Sequence, residues 1–407
     1  MAGKTRYLLL IFASLIIFAV ACGEASSPAA EEGTLPPVTI GVLADLSGPL
    51  QNFGEQTVRG FKLGLDYATQ GTMVVHGHRL KVVVEDDASN PEQAIQKVRK
   101  LMEDDGAQFL QGTTSSSAAL AIIPEVTKAK IPLLVEVAAS NDITGASCSP
   151  YVFRTAPNTD QFALASGRYL VREGRQKFLY FGQDYAYGHS SAEAYGRVIE
   201  SLGGQMDSLF APLDTVDFTP YLQRILEAKP DALLVGWAGV QAPVLYQQMG
   251  DMGVFDKMVV FPNFGDIAQL RGIGEAGQGL LGITLYYYGI PDTPANRWLV
   301  KAHEDAYGSP PDLYAAGGMA AAIAMVETLR TAPSWGPEAW AQTLEGLQFE
   351  TPKGTFILRA EDHQALQPMY VVQLHMDQQL GYPVPRLVKA LSPEDTAPPV
   401  RCPGFSR

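Results

Sequence analysis

The chain has 407 residues, 46% of them apolar and 18% charged, with a formal net charge of −13. That length allows roughly two or three domains with large cores. The composition excludes a disordered chain, and the acidity disfavours a nucleic-acid partner. Three cysteines are too few for a disulfide scaffold, and no internal apolar run is long enough to suggest a multi-span membrane protein.

Lys4 and Arg6 precede an uncharged, mostly apolar stretch from Tyr7 to Val20, the pattern of a secretory signal peptide. Ala19-Val20-Ala21 fits ordinary small-x-small cleavage. Ala21-Cys22-Gly23 is similar to a bacterial lipobox, with Ala19 where Leu is usual. The expectation is a signal peptide over residues 1–21 and a lipidated Cys22. Residues 22–37 are small, polar and proline-containing, as in a flexible tether. The body then works outside the cytoplasm, in the periplasm or at the cell surface. Cys148 and Cys402 are left in an oxidising compartment, where they are expected to pair.

The body starts with a β-branched strand, Val38–Leu43, and the turn Leu46-Ser47-Gly48-Pro49. Val58, Phe61, Leu65 and Ala68 then mark a helix by their spacing. Leu80–Val84 is the next strand. Asn90 caps a helix, Pro91 suits its first position, and Gln93 completes a capping box. Gln108–Leu110 and Ile131–Val137 are strands flanking a Ser/Ala-rich helix. The pattern restarts with strand Phe178–Phe181 and helix Ser191–Leu202, which Gly203-Gly204 ends. Strands at Ala232–Trp237, Met258–Phe261 and Gly279–Tyr288 follow. Helices are expected at Asn296–Tyr307, Tyr314–Thr331 and Pro337–Leu347, and strands at Gly354–Leu358 and Met369–Leu374. Two series of βα units predict an α/β fold of two Rossmann-like lobes, each a largely parallel sheet covered by helices.

Nothing in the chain asks for catalysis. Gly272-Ile-Gly-Glu-Ala-Gly277 matches GxGxxG, but it follows a helix and precedes a strand, the reverse of the dinucleotide context. No GxxxxGK[ST] loop or GxSxG elbow occurs. His76-x-His78 lies in a turn with no third ligand indicated, and His363 beside Asp362 falls short of a triad. No enzyme activity, cofactor or metal is expected.

Binding suits the residues better. Gln111 to Ala118 follows a strand and opens a helix, so backbone N–H groups and the hydroxyls of Ser115 and Ser116 meet at a positive helix end. That is a place for a carboxylate without Lys or Arg. Val137-Ala138-Ala139-Ser140-Asn141 ends the next strand, where open α/β sheets bind ligands. Asp184-Tyr-Ala-Tyr187-Gly188 holds the equivalent strand end of the second lobe, and Tyr187 could close over a ligand there.

These segments, with Phe53-Gly54, Glu85-Asp86-Asp87, Tyr151-Val-Phe-Arg-Thr155, Thr351-Pro-Lys-Gly354 and Asp362-His-Gln364, resemble in order the leucine/isoleucine/valine-binding family. These are type I periplasmic solute-binding proteins of ABC importers. The resemblance implies two lobes joined by a three-segment hinge: 38–154 plus 286–366, and 155–285 plus 367–407. It implies that Ser116 binds a ligand carboxylate, with Ala138 and Ser140 beside it, Phe53 next to the ligand and Tyr187 above it. Trp237 stands near a further expected contact. Asn263 stands at the place of the acidic partner for an α-ammonium, with Asp266 three residues later. If Asp266 stays out of the cleft, an aromatic carboxylate or an uncharged amine is favoured over an amino acid. The implied partners are a small-molecule ligand and a membrane permease, with the protein a monomer. A receptor module serving an extracytoplasmic sensor is the alternative, and an extracytoplasmic hydrolase a more distant one.

Overall fold

The computed structural model describes residues 1–3 and 33–405. Cys22, expected to be lipidated, most of the expected signal peptide and the expected tether up to residue 32 lie outside the described residues. The first strand begins at Leu35 rather than Val38, because the Leu35 amide bonds the Gly77 carbonyl at 3.0 Å.

The first lobe is built from β1 (Leu35–Ala44), α1 (Gln51–Ala68), β2 (Val74–Val75), β3 (His78–Asp86), α2 (Pro91–Glu103), β4 (Phe109–Gly112), α3 (Ser116–Ala129), β5 (Leu133–Val135) and β6 (Val152–Arg154). Its sheet runs β2-β3-β1-β4-β5-β6, parallel apart from the short β2–β3 hairpin. Asn90 caps α2 through Gln93 N, as expected. The capping box is only half made. Gln93 turns its amide to the Asp86 carbonyl at 2.8 Å, so it ties α2 back to β3 instead of to its own cap.

The second lobe comprises α4 (Thr159–Arg172), β7 (Lys177–Gln183), α5 (Ala186–Ser201), β8 (Gln205–Ala211), α6 (Thr219–Ala228), β9 (Ala232–Gly236), α7 (Ala242–Asp251), β10 (Val259–Phe264), α8 (Ile267–Ile273) and β11 (Leu281–Thr284). The chain then returns to the first lobe as α9 (Pro294–Tyr307), α10 (Leu313–Thr331) and α11 (Pro337–Leu344). A small antiparallel sheet follows: β12 (Gln348–Thr351), β13 (Gly354–Leu358) and β14 (Ala365–Leu366). β15 (Met369–Asp377) and β16 (Tyr382–Leu391) finish the second sheet, whose order is β16-β15-β11-β10-β9-β7-β8. β15 runs antiparallel to β11 and β16 antiparallel to β15, so β15 alone is reversed in an otherwise parallel sheet. Three segments therefore cross between lobes: residues 155–158, 285–293 and 367–368.

Close helix packing holds the first lobe together. α10 is alanine-rich and buried almost all round, so it can approach α1 with little side chain between them. A Cβ on Gly60 would lie 1.9 Å from the Ala315 carbonyl oxygen, and one on Gly318 would lie 2.2 Å from that of Thr57. Only glycine allows this separation. Trp340 of α11 stacks on Phe109 of β4. Gly272 of the GxGxxG match has a similar explanation, since a Cβ there would meet Pro243 of α7 at 2.3 Å. The segment runs from α8 into a short 3-10 turn before β11.

The tail beyond β16 touches both lobes, the first through Cys402 and the second through Arg401. Cys402 is bonded to Cys148, with Cα atoms 5.7 Å apart. Arg401 donates to Asp160 at 2.6 Å, and Phe405 stacks on His363 at 4.2 Å. His363 is buried between Phe405 and Phe153, a packing role. His78 stacks on Trp335, and His76 meets the Arg330 carbonyl. No metal-holding group of His, Cys, Asp and Glu occurs among the described residues.

Candidate functional site

A cavity lies between the lobes. It sits at the carboxyl ends of β4 and β5 on one side and of β9 and β10 on the other, where α/β sheets bind ligands. The lobes touch around it. Val240 N donates to the Pro49 carbonyl at 3.1 Å, Asn52 Nδ2 to Asp266 at 2.5 Å, and Asn141 N to Ser190 Oγ at 2.9 Å. This is a closed arrangement.

The first-lobe wall follows from the loop between β4 and α3. Ser115 is the N-cap of α3, but its side chain makes no capping bond. The amides of Ser116, Ser117 and Ala118 are the first of the helix and have no partner within it, so the positive helix end is left to attract an anion. Ser116 lines the cavity and is fully buried. Its Oγ accepts from Ala139 N at 3.1 Å and from Ser140 N at 3.2 Å. Both acceptor directions of the hydroxyl are thus used, and the O–H proton is what remains to offer. A hydroxyl held this way donates, which suits a carboxylate.

The other first-lobe candidates divide. Ala138 and Phe53 line the cavity with Ser116, and Phe53 packs against Tyr314 at 4.0 Å between ring centroids. Ser115 and Ser140 are not among the lining residues. Ser140 Oγ faces the Asp142 amide at 3.4 Å, starting a 3-10 turn, so its hydroxyl is directed along its own loop.

The second-lobe wall brings together Tyr187, Trp237, Asn263 and Asp266. Tyr187 sits on the first turn of α5, because the helix begins at Ala186 rather than Ser191. Burial pushes the pKa of its hydroxyl up. Gln183 grips both the amide and the carbonyl of Ala238, at 3.0 and 2.9 Å, which fixes the loop carrying Trp237. Trp237 itself packs on Phe181 and Phe218, so it is both core and wall.

Among the described residues, no Lys, Arg or His lines the cavity, whereas Glu136 and Asp266 do. Asp266 therefore reaches the cleft. It caps α8 through Gln269 N at 2.8 Å and accepts from Asn52. Burial raises its pKa. Asp312, which accepts the Ile267 amide at 2.7 Å, is pushed to about 8 by burial and then by the charge of Asp266. Asn263 Oδ1 accepts from the Tyr195 hydroxyl at 3.4 Å. Glu136 accepts from Thr155 at 2.9 Å and lies 4.0 Å from the buried ammonium of Lys353. Burial raises the Glu136 pKa and lowers that of Lys353.

Thr114, Glu136, Phe162, Tyr185 and Tyr314 also line the cavity, and sequence reasoning did not single them out. Thr114 and Tyr185 adjoin segments already under suspicion. Phe162 and Tyr314 enter from α4 and α10, where they read as ordinary packing residues, so no local signal marks them.

With this geometry in view, the relatives agree. The periplasmic binding protein family profile matches residues 37–379. The chain is 26% identical to Leu/Ile/Val-binding protein homolog 6 of Brucella melitensis over 349 residues, 82% of this chain and 86% of that protein. A solved structure described as an ABC-type branched-chain amino acid transporter of Rhodopseudomonas palustris is 34% identical. It has a TM-score of 0.74 and covers 90% of this chain and 99% of that one. An ABC transporter substrate-binding protein of Sphaerobacter thermophilus is 30% identical, with a TM-score of 0.80, over 88% of this chain and 98% of that one. The family consists of extracytoplasmic substrate-binding proteins that work with ABC transporters and are not enzymes, and this chain belongs to it.

Proposed function

We propose that the protein captures a small organic carboxylate, an amino acid or a close analogue, and presents it to the permease of an ABC importer. It would act as a monomer, tethered to the membrane through lipidated Cys22. The observation that carries this reading is Ser116, whose oxygen is saturated by two amides while its proton and the α3 amides remain to donate.

In this reading the carboxylate docks at Ser116, with the Ala138 backbone beside it. Phe53, Tyr187 and Trp237 enclose the rest of the ligand. Asp266, with Asn263 beside it, supplies the acidic side for an ammonium. The lobes turn about the crossovers near residues 155, 286 and 367. Closure is favoured only by contacts absent from the open form. A shift from 1% to 99% closed requires about 5.5 kcal/mol of differential binding. A few charge-assisted hydrogen bonds and one buried apolar group can provide that.

A thermal-shift screen over amino acids, their amides and aromatic acids, followed by native mass spectrometry, tests the ligand class. Stabilisation by free acids and not by their amides is expected. Stabilisation by neither, or equally by both, overturns the carboxylate reading. Uptake of the hit into proteoliposomes carrying the cognate permease tests the importer role, and uptake that does not depend on this protein overturns it.

A further inference from the structure

Two motifs remain without a role in the cavity itself, Tyr151–Thr155 and Asp362–Gln364. They meet at Arg154. This residue ends β6 and is fully buried. Its guanidinium donates in three directions: Nη1 to the Ser140 carbonyl, Nη2 to Thr144 Oγ1 at 2.6 Å, and Nε to Gln364 Oε1 at 2.7 Å. The Ser140 amide, with that of Ala139, is in turn held by Ser116 Oγ. On the other side, Gln364 Nε2 donates to the Ala156 carbonyl at 2.8 Å and to Gln161 Oε1 at 3.0 Å. Ala156 belongs to the first crossover. Gln161 lies in the first turn of α4, in the second lobe, and it completes the capping box of that helix. Gln367, in the last crossover, donates to the Thr155 carbonyl at 3.0 Å.

We infer that Arg154 is a positioning residue that couples the carboxylate seat at Ser116 to the hinge, through the Ser140 carbonyl on one side and Gln364 on the other. The inference rests on the reading of Ser116 as the seat. Arg154 acts through neutral acceptors. The acidic groups around it are Asp142, Asp160 and Asp362, and two of these are occupied elsewhere: Asp160 by Arg197 and Arg401, and Asp362 by Arg359. A staple for folding alone needs no link from a ligand loop to two crossovers. The planar fork of arginine holds three acceptors in one plane, which a lysine ammonium on a flexible stem does not reproduce. Rotation of the lobes must move Ala156 and Gln161 relative to the first-lobe loop. Gln364 then shifts, and Arg154 transmits the shift to Ser140. By linkage the effect runs both ways.

The test uses the full mature chain without ligand, so it stands or falls apart from the identity of the cargo. Hydrogen exchange by NMR is followed at the Ala139 and Ser140 amides and at residues 156–161. Gln364→Glu keeps an acceptor for Arg154 Nε but removes the donations to Ala156 and Gln161. It is expected to speed exchange at Ala139 and Ser140 by about tenfold while amides in β1 and β3 are unchanged. Ser116→Ala is expected to speed exchange at residues 156–161 in return. Arg154→Lys should reproduce both effects. If Gln364→Glu does not fold, Thr144→Ala, which takes one acceptor from the fork, replaces it with the same expectation. Exchange at Ala139 and Ser140 that stays at the wild-type rate, or an Arg154→Lys protein that behaves as wild type at both places, overturns the coupling. A uniform rise over all amides does so too, because it marks a purely structural role.

Discussion

Ser116→Ala separates what the serine does for the fold from what it does for a ligand. Ser116 is 1% exposed, and its oxygen holds the Ala139 and Ser140 amides at 3.1 and 3.2 Å. Alanine removes their shared acceptor. A buried donor left unpaired costs about 1–3 kcal/mol. The short loop can turn one of the two amides toward water, so a net loss of about 2 kcal/mol is expected. About 2–4 °C of melting temperature is lost per kcal/mol in a large domain, so scanning calorimetry of the free protein should show a drop of about 4–8 °C. Binding loses one hydrogen bond to a charged group, about 1.5–3 kcal/mol, and with 1.4 kcal/mol per decade the affinity falls about 10- to 150-fold. Titration calorimetry with the tightest carboxylate from the screen reads that number. Ser115→Ala is the control. With no capping bond and no place on the cavity wall, it should leave affinity unchanged. An affinity for Ser116→Ala within twofold of wild type, alongside the lower melting temperature, would refute the seat and leave Ser116 as a brace for the loop.

Gly188→Ala should dislodge Tyr187, because a Cβ there would sit 1.8 Å from the Gln183 carbonyl. A loss of affinity of at least about tenfold is expected in the same titration, and wild-type affinity would contradict the lid. Cys148→Ser opens a bond spanning 254 residues and should cost about 2–5 kcal/mol of stability. Urea unfolding with and without reductant checks this, since reductant should then destabilise the wild type and not the variant. Asp312 has its pKa raised in the fold to about 8. Its contribution to stability is fully present below its ordinary value and is lost as pH rises through about 8. Wild-type urea midpoints should therefore fall between pH 6 and 9 more steeply than those of Asp312→Asn, and parallel profiles would rule out this origin.

The first lobe was largely legible because its signals are local. A β-branched run gives β1, Asn90-Pro91 starts α2, and the serine run after β4 opens α3 beside the cavity. The start of α5 was not, because Tyr185 stands at its N-cap without a capping side chain, and Tyr187 therefore reads as loop. Sequence places Ser140 at the end of its strand but does not orient its hydroxyl. The Asp142 amide two residues later captures its oxygen. Gln93 shows the same limit, since its competing partner, the Asp86 carbonyl, comes from the preceding strand end. Glu136, Tyr314 and Arg154 owe their roles to segments far away in the chain. Arg154 and Gln364 are 210 residues apart, and no spacing rule spans that distance. The bond from Cys402 to Cys148 likewise joins residues 254 apart in the chain, beyond the reach of any local signal.

A crystal structure of the purified protein soaked with its tightest carboxylate examines the central claim most directly. The account predicts ligand density between the lobes, with a carboxylate oxygen about 3 Å from Ser116 Oγ and from the first amides of α3, and with the Tyr187 ring against its other face. Density that fills the cavity with the carboxylate turned away from α3, or density outside the interlobe space, would contradict it.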